Sequence, residues 1–220
     1  MTMTPRLRKF ALTAHVTSSV GWLGAVAGFL ALAVAGLTSQ DAQMVRAAYL
    51  AMDLTGWFVI VPLSFAAPIT GLVQSLGTTW GLFRHYWVLV KFLITIPCTI
   101  VLLLHMQPTR HLAGVAAQTA LSSTDLGGLR IQLMADSGAA LLVLLVATTL
   151  SVYKPRGMTR YGARKQHEQG DTGVGSGRES TTSTPRWVKV SGIIVIVLVL
   201  LFVILHLTGN SLGGHTPSGG

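Results

Sequence analysis

The stretch RHYWVLVKFLITIPCTIVLLLHMQ, residues 84 to 107, decides the fold of the chain. Its apolar run is long enough for a helix that crosses a bilayer, which needs about 20 mainly apolar residues. Lys91, Cys98 and His105 follow one another at intervals of seven residues, a spacing that places them near one face of a helix. The pattern predicts a membrane-spanning helix whose polar face points into a bundle, because charge that faces lipid is disfavoured.

The composition agrees with a membrane protein. Of the 220 residues, 50% are hydrophobic and only 10% are charged, whereas soluble domains carry about 25% charged residues. The formal net charge is +9, but the basic residues cluster at the ends of apolar runs and in one linker, as in membrane proteins. This clustering argues against a nucleic-acid partner, which would require a basic patch on a folded surface. We expect the lipid bilayer to be the main partner.

The hydropathy pattern predicts an all-α, polytopic integral membrane protein. Residues 1–153 are expected to form a bundle of four transmembrane helices. Residues 154–186 are basic and poor in apolar side chains, which predicts a disordered cytoplasmic linker. A fifth transmembrane helix is predicted at residues 187–207 and a flexible extracytoplasmic tail at residues 208–220. The four spans of the bundle are predicted at residues 10–37, 52–76, 85–106 and 132–153.

Particular residues within the spans carry further structural predictions. Gly24 and Gly28 form a G-x-x-x-G pattern, which predicts that a neighbouring helix approaches closely there. Asp53 and Asp136 lie near the starts of their spans, where the helix dipole favours negative charge. We therefore interpret the two aspartates as helix-start residues.

The distribution of Lys and Arg predicts the orientation of the chain. With the N-terminus in the cytoplasm, twelve of the 16 Lys and Arg residues fall in inside segments, whereas Arg46, Arg110 and Arg130 fall outside. The remaining one, Lys91, lies within a span. The C-terminus is then extracytoplasmic, and the basic segment 154–189 is a candidate for binding anionic lipid.

Two ionisable residues, His15 and Lys91, are predicted to lie in the same layer of the membrane. Both spans run outward, and each residue lies about 8 to 9 Å from the inner end at about 1.5 Å per residue. A neutral imidazole binds haem iron, and a desolvated lysine can act as a ligand or a base. The pair is therefore a candidate cofactor site. The alternatives are that Lys91 snorkels to the headgroups and that His15 is a hydrogen-bonded packing residue.

A second group of polar residues is predicted in the outer layer. His105 lies near the outer end of the third span and His206 near the outer end of the fifth. Asp53 and Asp136 are expected at the same depth. The two histidines are a candidate metal site, because imidazole nitrogen is a common metal ligand.

Two helices resemble those of a known group of membrane proteins. His15, Trp22 and Gly24 are similar to the first-helix pattern of HemJ-type protoporphyrinogen oxidases and of CopD-like bacterial membrane domains. The run WVLVK at residues 87–91, followed by apolar residues to His105, is similar to the third helix of the same group.

The resemblance covers about residues 7–155 and implies a b-type haem associated with His15 and Lys91. It also implies that the protein lies in the bacterial plasma (inner) membrane. After Arg130 the chain reads IQLMAD in place of the Arg-x-x-Asn-Glu-x-Pro signature of the HemJ-type enzymes. We therefore expect the chain to belong to a related bacterial membrane family.

Three functions follow as hypotheses. The first is a haem-binding or redox-linked membrane protein whose site lies in the inner leaflet at His15 and Lys91. The second is copper or small-solute transport, which the CopD-like first helix suggests and for which His105 and His206 would supply ligands. The third is a structural or partner-binding membrane protein in which all these polar residues serve packing.

Overall fold

The computed structural model describes residues 3–77, 82–118 and 126–153, together with Thr159 and Val190. These residues form five α-helices and one π-helical turn. In chain order they are α1 (Pro5–Thr38), α2 (Ala42–Thr55), the π-helical turn (Gly56–Ile60), α3 (Val61–Gly77), α4 (Tyr86–Gln118) and α5 (Gly127–Tyr153).

Within the described residues, four helical spans are long and apolar enough to cross a membrane. α2, the π-helical turn and α3 together form one of them, Ala42–Gly77. The prediction of an all-α chain with four such spans is confirmed. The predicted fifth helix lies outside the described residues except at Val190, and the tail lies outside them entirely.

The four spans close into a ring. α1 packs against α3, α3 against α4, α4 against α5, and α5 back against α1. Short connections between consecutive spans make neighbours antiparallel, as in an up-and-down four-helix bundle. α1 and α4 are therefore diagonal, run in the same direction and face each other across the centre. The same ends of these two helices carry His15 and Lys91.

α2 begins ten residues before the second predicted span, at Ala42. The Asp41 side chain caps this start by accepting a 2.9 Å hydrogen bond from the backbone N–H of Gln43. Asp53 consequently lies in the last turn of α2 and Asp136 well inside α5, so the prediction that they start helices is wrong. Hydropathy identified only the apolar part of each helix, because the amphipathic turns before it carry polar residues on one side.

α4 extends beyond the third predicted span, which was expected to end at residue 106. It continues to Gln118 because its next three turns bury a regular stripe. The stripe consists of Met106, Thr109, Leu112, Ala113 and Ala116. It packs against α2, so the two extensions support each other. At about 1.5 Å per residue, α4 is roughly 50 Å long and exceeds the hydrocarbon core of about 30 Å.

Pro68 leaves a backbone acceptor unpaired inside α3. It has no backbone N–H, so the Ser64 carbonyl one turn earlier loses its helical partner. The Thr99 hydroxyl of α4 lies 3.3 Å from the Ser64 carbonyl oxygen, and 3.0 Å from the Thr95 carbonyl oxygen in its own helix. The Thr99 hydroxyl thus supplies a donor from the neighbouring helix, as spanning helices with proline require.

Gly24 and Gly28 do not mediate the predicted close approach of helices. Both are exposed, and among the described residues no atom lies within 4 Å of the position that a Cβ would take at either glycine. They lie on the side of α1 that faces away from the bundle. Gly36 serves the close approach instead, since a Cβ there would stand 2.9 Å from the Tyr49 ring.

Arg130, in the first turn of α5, contacts both α1 and α2. Its Nε donates a 2.9 Å hydrogen bond to the Tyr49 hydroxyl of α2, and its Nη2 donates to the Gly36 carbonyl of α1. Gly36 lies in the last turn of α1, where carbonyl groups have no partner within the helix. A positive charge at this end also complements the helix dipole. These two hydrogen bonds of Arg130, which we call the Arg130 joint, fix α5 against α1 and α2.

The opposite end of the bundle is closed by backbone contacts. The Met3 N–H donates a 3.2 Å hydrogen bond to the Gly77 carbonyl. Thr159, from the segment predicted as a linker, is buried. Its N–H donates to the Arg84 carbonyl at 2.9 Å, and its hydroxyl donates to the Phe83 carbonyl. The chain at Thr159 therefore packs against the loop before α4.

We predict that Tyr49→Phe lowers the free energy of unfolding by about 1 kcal/mol, because it removes the acceptor of Arg130 Nε and keeps the ring. Unfolding by sodium dodecyl sulfate in mixed micelles measures this change. Tyr153→Phe is the matched control, since Tyr153 is 79% exposed and its replacement is expected to leave stability unchanged. Equal effects of the two substitutions would contradict the role of the Arg130 joint.

Candidate functional site

A cavity of about 370 Å³ lies at the end of the bundle where α1 and α4 begin, and all four spans line it. The volume falls within the range of about 300–1,000 Å³ that is typical of small-molecule and cofactor sites. Along α1 the lining extends from Arg8 to Trp22, a distance of about 21 Å at about 1.5 Å per residue. Both His15 and Lys91 line this cavity. The structure therefore brings the two predicted site residues together.

The His15 ring is held by α3. Its Nδ1 lies 3.0 Å from the Ala67 carbonyl oxygen and 3.2 Å from the Thr70 hydroxyl oxygen. A carbonyl oxygen only accepts, so the contact with Ala67 assigns the hydrogen of the neutral ring to Nδ1. Nε2 then keeps its lone pair. Histidines that bind metals are oriented in the same way, by a hydrogen bond from the other ring nitrogen to a backbone carbonyl.

Gly71 allows the His15 ring to lie directly against α3. A Cβ at this glycine would stand 3.0 Å from Cε1 and 3.4 Å from Nδ1 of His15. Ala67, Thr70 and Gly71 were not among the residues predicted for the site. Thr70 offered the only local signal, as a hydroxyl between the apolar residues of the second span. The register of α1 against α3, which decides the contact, is not visible in that pattern.

Lys91 lines the cavity from α4, together with Trp87 and Thr95 at intervals of one helical turn. Lys91 is half-buried, and both interpretations of this residue, a cofactor site and a snorkelling lysine, stay predictions. Cys98, two turns further along, is half-buried and packs against the main apolar core. His105 is buried. The polar face predicted for this helix therefore points into the bundle.

His105 belongs to a separate contact between α4 and α5. Its Nε2 lies 2.7 Å from Asp136 Oδ2, and its Nδ1 lies 2.9 Å from the Val101 carbonyl oxygen. Both ring nitrogens thus face oxygen acceptors. The predicted metal site of His105 with His206 stays a prediction, since His206 lies outside the described residues. His105 and Asp136 were predicted to lie at the same depth, and the contact between them agrees with this prediction.

Asp53 makes a different pair in the same half of the bundle. Its Oδ1 lies 3.9 Å from Nε of Arg110 on α4. The Arg110 guanidinium also lies over the Trp57 ring, 5.0 Å from its centroid, in a cation–π contact. Asp53 therefore links α2 to α4, whereas Asp136 links α4 to α5.

We predict that His105→Leu lowers the free energy of unfolding by about 3 kcal/mol, because it leaves the buried Asp136 carboxylate without its partner. The double substitution His105→Leu/Asp136→Leu is expected to recover most of the loss, and equilibrium unfolding in mixed micelles measures both. His111→Leu is the control, because His111 is exposed on the same helix. Additive losses in the double variant would contradict the direct pairing.

The chain matches no family model, no curated protein and no solved structure. The resemblance to HemJ-type and CopD-like proteins accordingly stays a prediction from the residues in the first and third spans. The geometry of the cavity is the main observation that bears on function.

Proposed function

We propose that the protein is a multi-pass protein of the bacterial plasma membrane whose cavity would hold a b-type haem, with His15 Nε2 available to bind the iron. The hydrogen bond from His15 Nδ1 to the Ala67 carbonyl carries the proposal. It assigns the tautomer in which Nε2 has a lone pair for iron, on the wall of a cavity of cofactor size. The resemblance of the first and third helices to HemJ-type proteins supports the proposal of a b-type haem.

The donor set suits a haem better than a bare metal ion. Haem takes only one or two axial ligands from the protein, whereas a structural zinc site takes four ligands. Within residues 3–77, 82–118 and 126–153, no group of three His, Cys, Asp or Glu side chains is placed to hold a metal ion. A single oriented histidine beside an open volume meets the requirement of a haem.

A bound haem would supply one-electron chemistry, and the protein would supply binding and electrostatics. Ala67 and Gly71 position the imidazole of His15. Lys91 would place a positive charge in the site, where it can attract an anionic substituent of the ligand. Trp22, which is 3% exposed, closes the deep end of the cavity against water.

The cavity would then lie in the cytoplasmic half of the membrane. The proposed orientation rests on the excess of Lys and Arg in the segments at this end of the bundle. Arg46, Arg110 and Arg130 belong to the opposite end, where α1 and α4 terminate and α5 begins. A cytoplasmic cavity would take its ligand from the inner leaflet or from the cytoplasm.

We predict that the purified protein, expressed with a supply of haem, shows a Soret band that shifts on reduction with dithionite. His15→Ala is expected to lose the band because it removes the imidazole that would bind the iron, while His111→Ala, at an exposed histidine of α4, retains it. Absorption spectra and haem content per chain measure this. A wild-type protein without a Soret band in either oxidation state would contradict the proposal. Unchanged haem content in both His15→Ala and Lys91→Ala would also contradict it.

A pair of glycine substitutions gives a finer control. Gly71→Ala is expected to weaken haem binding about tenfold, the lower end of the effect of disturbing the groups that orient a metal ligand, because its Cβ would crowd the His15 ring. Gly24→Ala adds the same methyl group to α1, where no described atom lies within 4 Å of it. Haem affinity should be unchanged there, and an equal loss in both variants would speak against the role of Gly71.

A further inference from the structure

The charges that line the cavity are all of one sign. Its charged lining residues are Arg8 and Lys91, beside the neutral His15, and no Asp or Glu among the described residues lines it. The described carboxylates lie elsewhere. Asp53 pairs with Arg110 and Asp136 with His105, while Asp41 caps α2. Lys91 is half-buried in the cavity, whereas Arg8 is exposed at its end. A half-buried cation beside apolar walls is costly unless an anion accompanies it, so the cavity favours an anionic ligand.

The cavity opens sideways as well as at its end. Leu12 and Val16 of α1 both line the cavity and are each 49% exposed. Thr148 of α5 also lines it and is exposed. Lining residues that are themselves exposed mark an opening, and these three lie along the side where α1 and α5 are neighbours. In a bilayer this side would face the hydrocarbon, so a ligand with an apolar part could reach the cavity from the membrane.

The two features together describe the site of an amphipathic anion. Arg8 lies in the first turns of α1, near the end of the bundle, and Lys91 in the second turn of α4. An arginine guanidinium matches a phosphate with two parallel hydrogen bonds, and a lysine adds a point charge. Leu12 and Val16 offer an apolar exit for an acyl chain. Ser19, Thr95 and Ser151 also line the cavity.

We propose that the haem-free protein binds the phosphate headgroup of an anionic phospholipid in this cavity, with Arg8 and Lys91 as its cationic partners and an acyl chain leaving between α1 and α5. The lipid is a second ligand class for the cavity and does not require that haem binds. Haem and the lipid headgroup would exclude each other at Lys91. The lipid would compensate the positive charge that the cavity carries when it holds no haem.

Native mass spectrometry of the haem-free protein with added phosphatidylglycerol or phosphatidylcholine tests the proposal. We expect the anionic lipid to be retained preferentially, and Arg8→Gln to lower its retention about tenfold through loss of a charged hydrogen bond. Lys9→Gln is the matched control, since Lys9 is exposed beside Arg8, does not line the cavity and carries the same charge. Equal retention of the two lipids, or equal losses in the two variants, would overturn the proposal.

Two further experiments distinguish a bound lipid from a bound small anion. Excess inorganic phosphate should leave phosphatidylglycerol bound, because the acyl chain contributes to binding. Displacement of the lipid by phosphate alone would assign the site to a small anion and overturn the lipid proposal. Leu12→Trp should lower lipid retention without changing charge, by narrowing the opening, and retention equal to wild type would contradict the lateral exit. The haem absorption of Arg8→Gln is measured in parallel. A failure of lipid binding can then be distinguished from a failure of the haem site.

Discussion

The bilayer core supplies no hydrogen-bond partners, so polar groups in the spans pair within the protein unless they line a cavity. The contacts between helices follow from this constraint. His15 donates from α1 to a carbonyl of α3, and Thr99 of α4 lies beside the carbonyl that Pro68 leaves unpaired. Arg130 of α5 donates to a carbonyl in the last turn of α1. These hydrogen bonds tie each helix of the ring to another, and they set the register in which the apolar surfaces pack.

The two halves of the bundle use polar residues differently. In the half where α2 and the end of α4 pack, positive and negative groups are paired, as in the contact of His105 with Asp136. In the other half, Arg8, His15 and Lys91 line a cavity that no described carboxylate shares. Paired charges stabilise helix contacts, whereas unpaired positive charge beside an open volume suits the binding of a ligand. The stability of the protein is therefore expected to depend on the first half and its function on the second.

Much of this arrangement was predictable from the sequence. The apolar runs predicted four spans, and counting residues from the span ends placed His15 with Lys91 and His105 with Asp136. The ends of α2 and α4 were not predictable from hydropathy, because their extra turns are amphipathic and are stabilised by packing on each other. Nor could the pattern distinguish Gly24, on the outer side of α1, from Gly36 against Tyr49. Such differences depend on helix rotation, which hydropathy alone does not determine.

The proposed role of His15 requires that α3 holds its ring with Nδ1 protonated and that Nε2 faces the cavity. Nitrogen-15 NMR of the haem-free protein, labelled at histidine and reconstituted in lipid bicelles, tests it most directly. The His15 signals are identified by their absence in His15→Gln. We expect one neutral tautomer at His15, with the hydrogen on Nδ1 and an unprotonated Nε2. A hydrogen on Nε2, or rapid averaging of the two tautomers as in a solvent-exposed histidine, would contradict it.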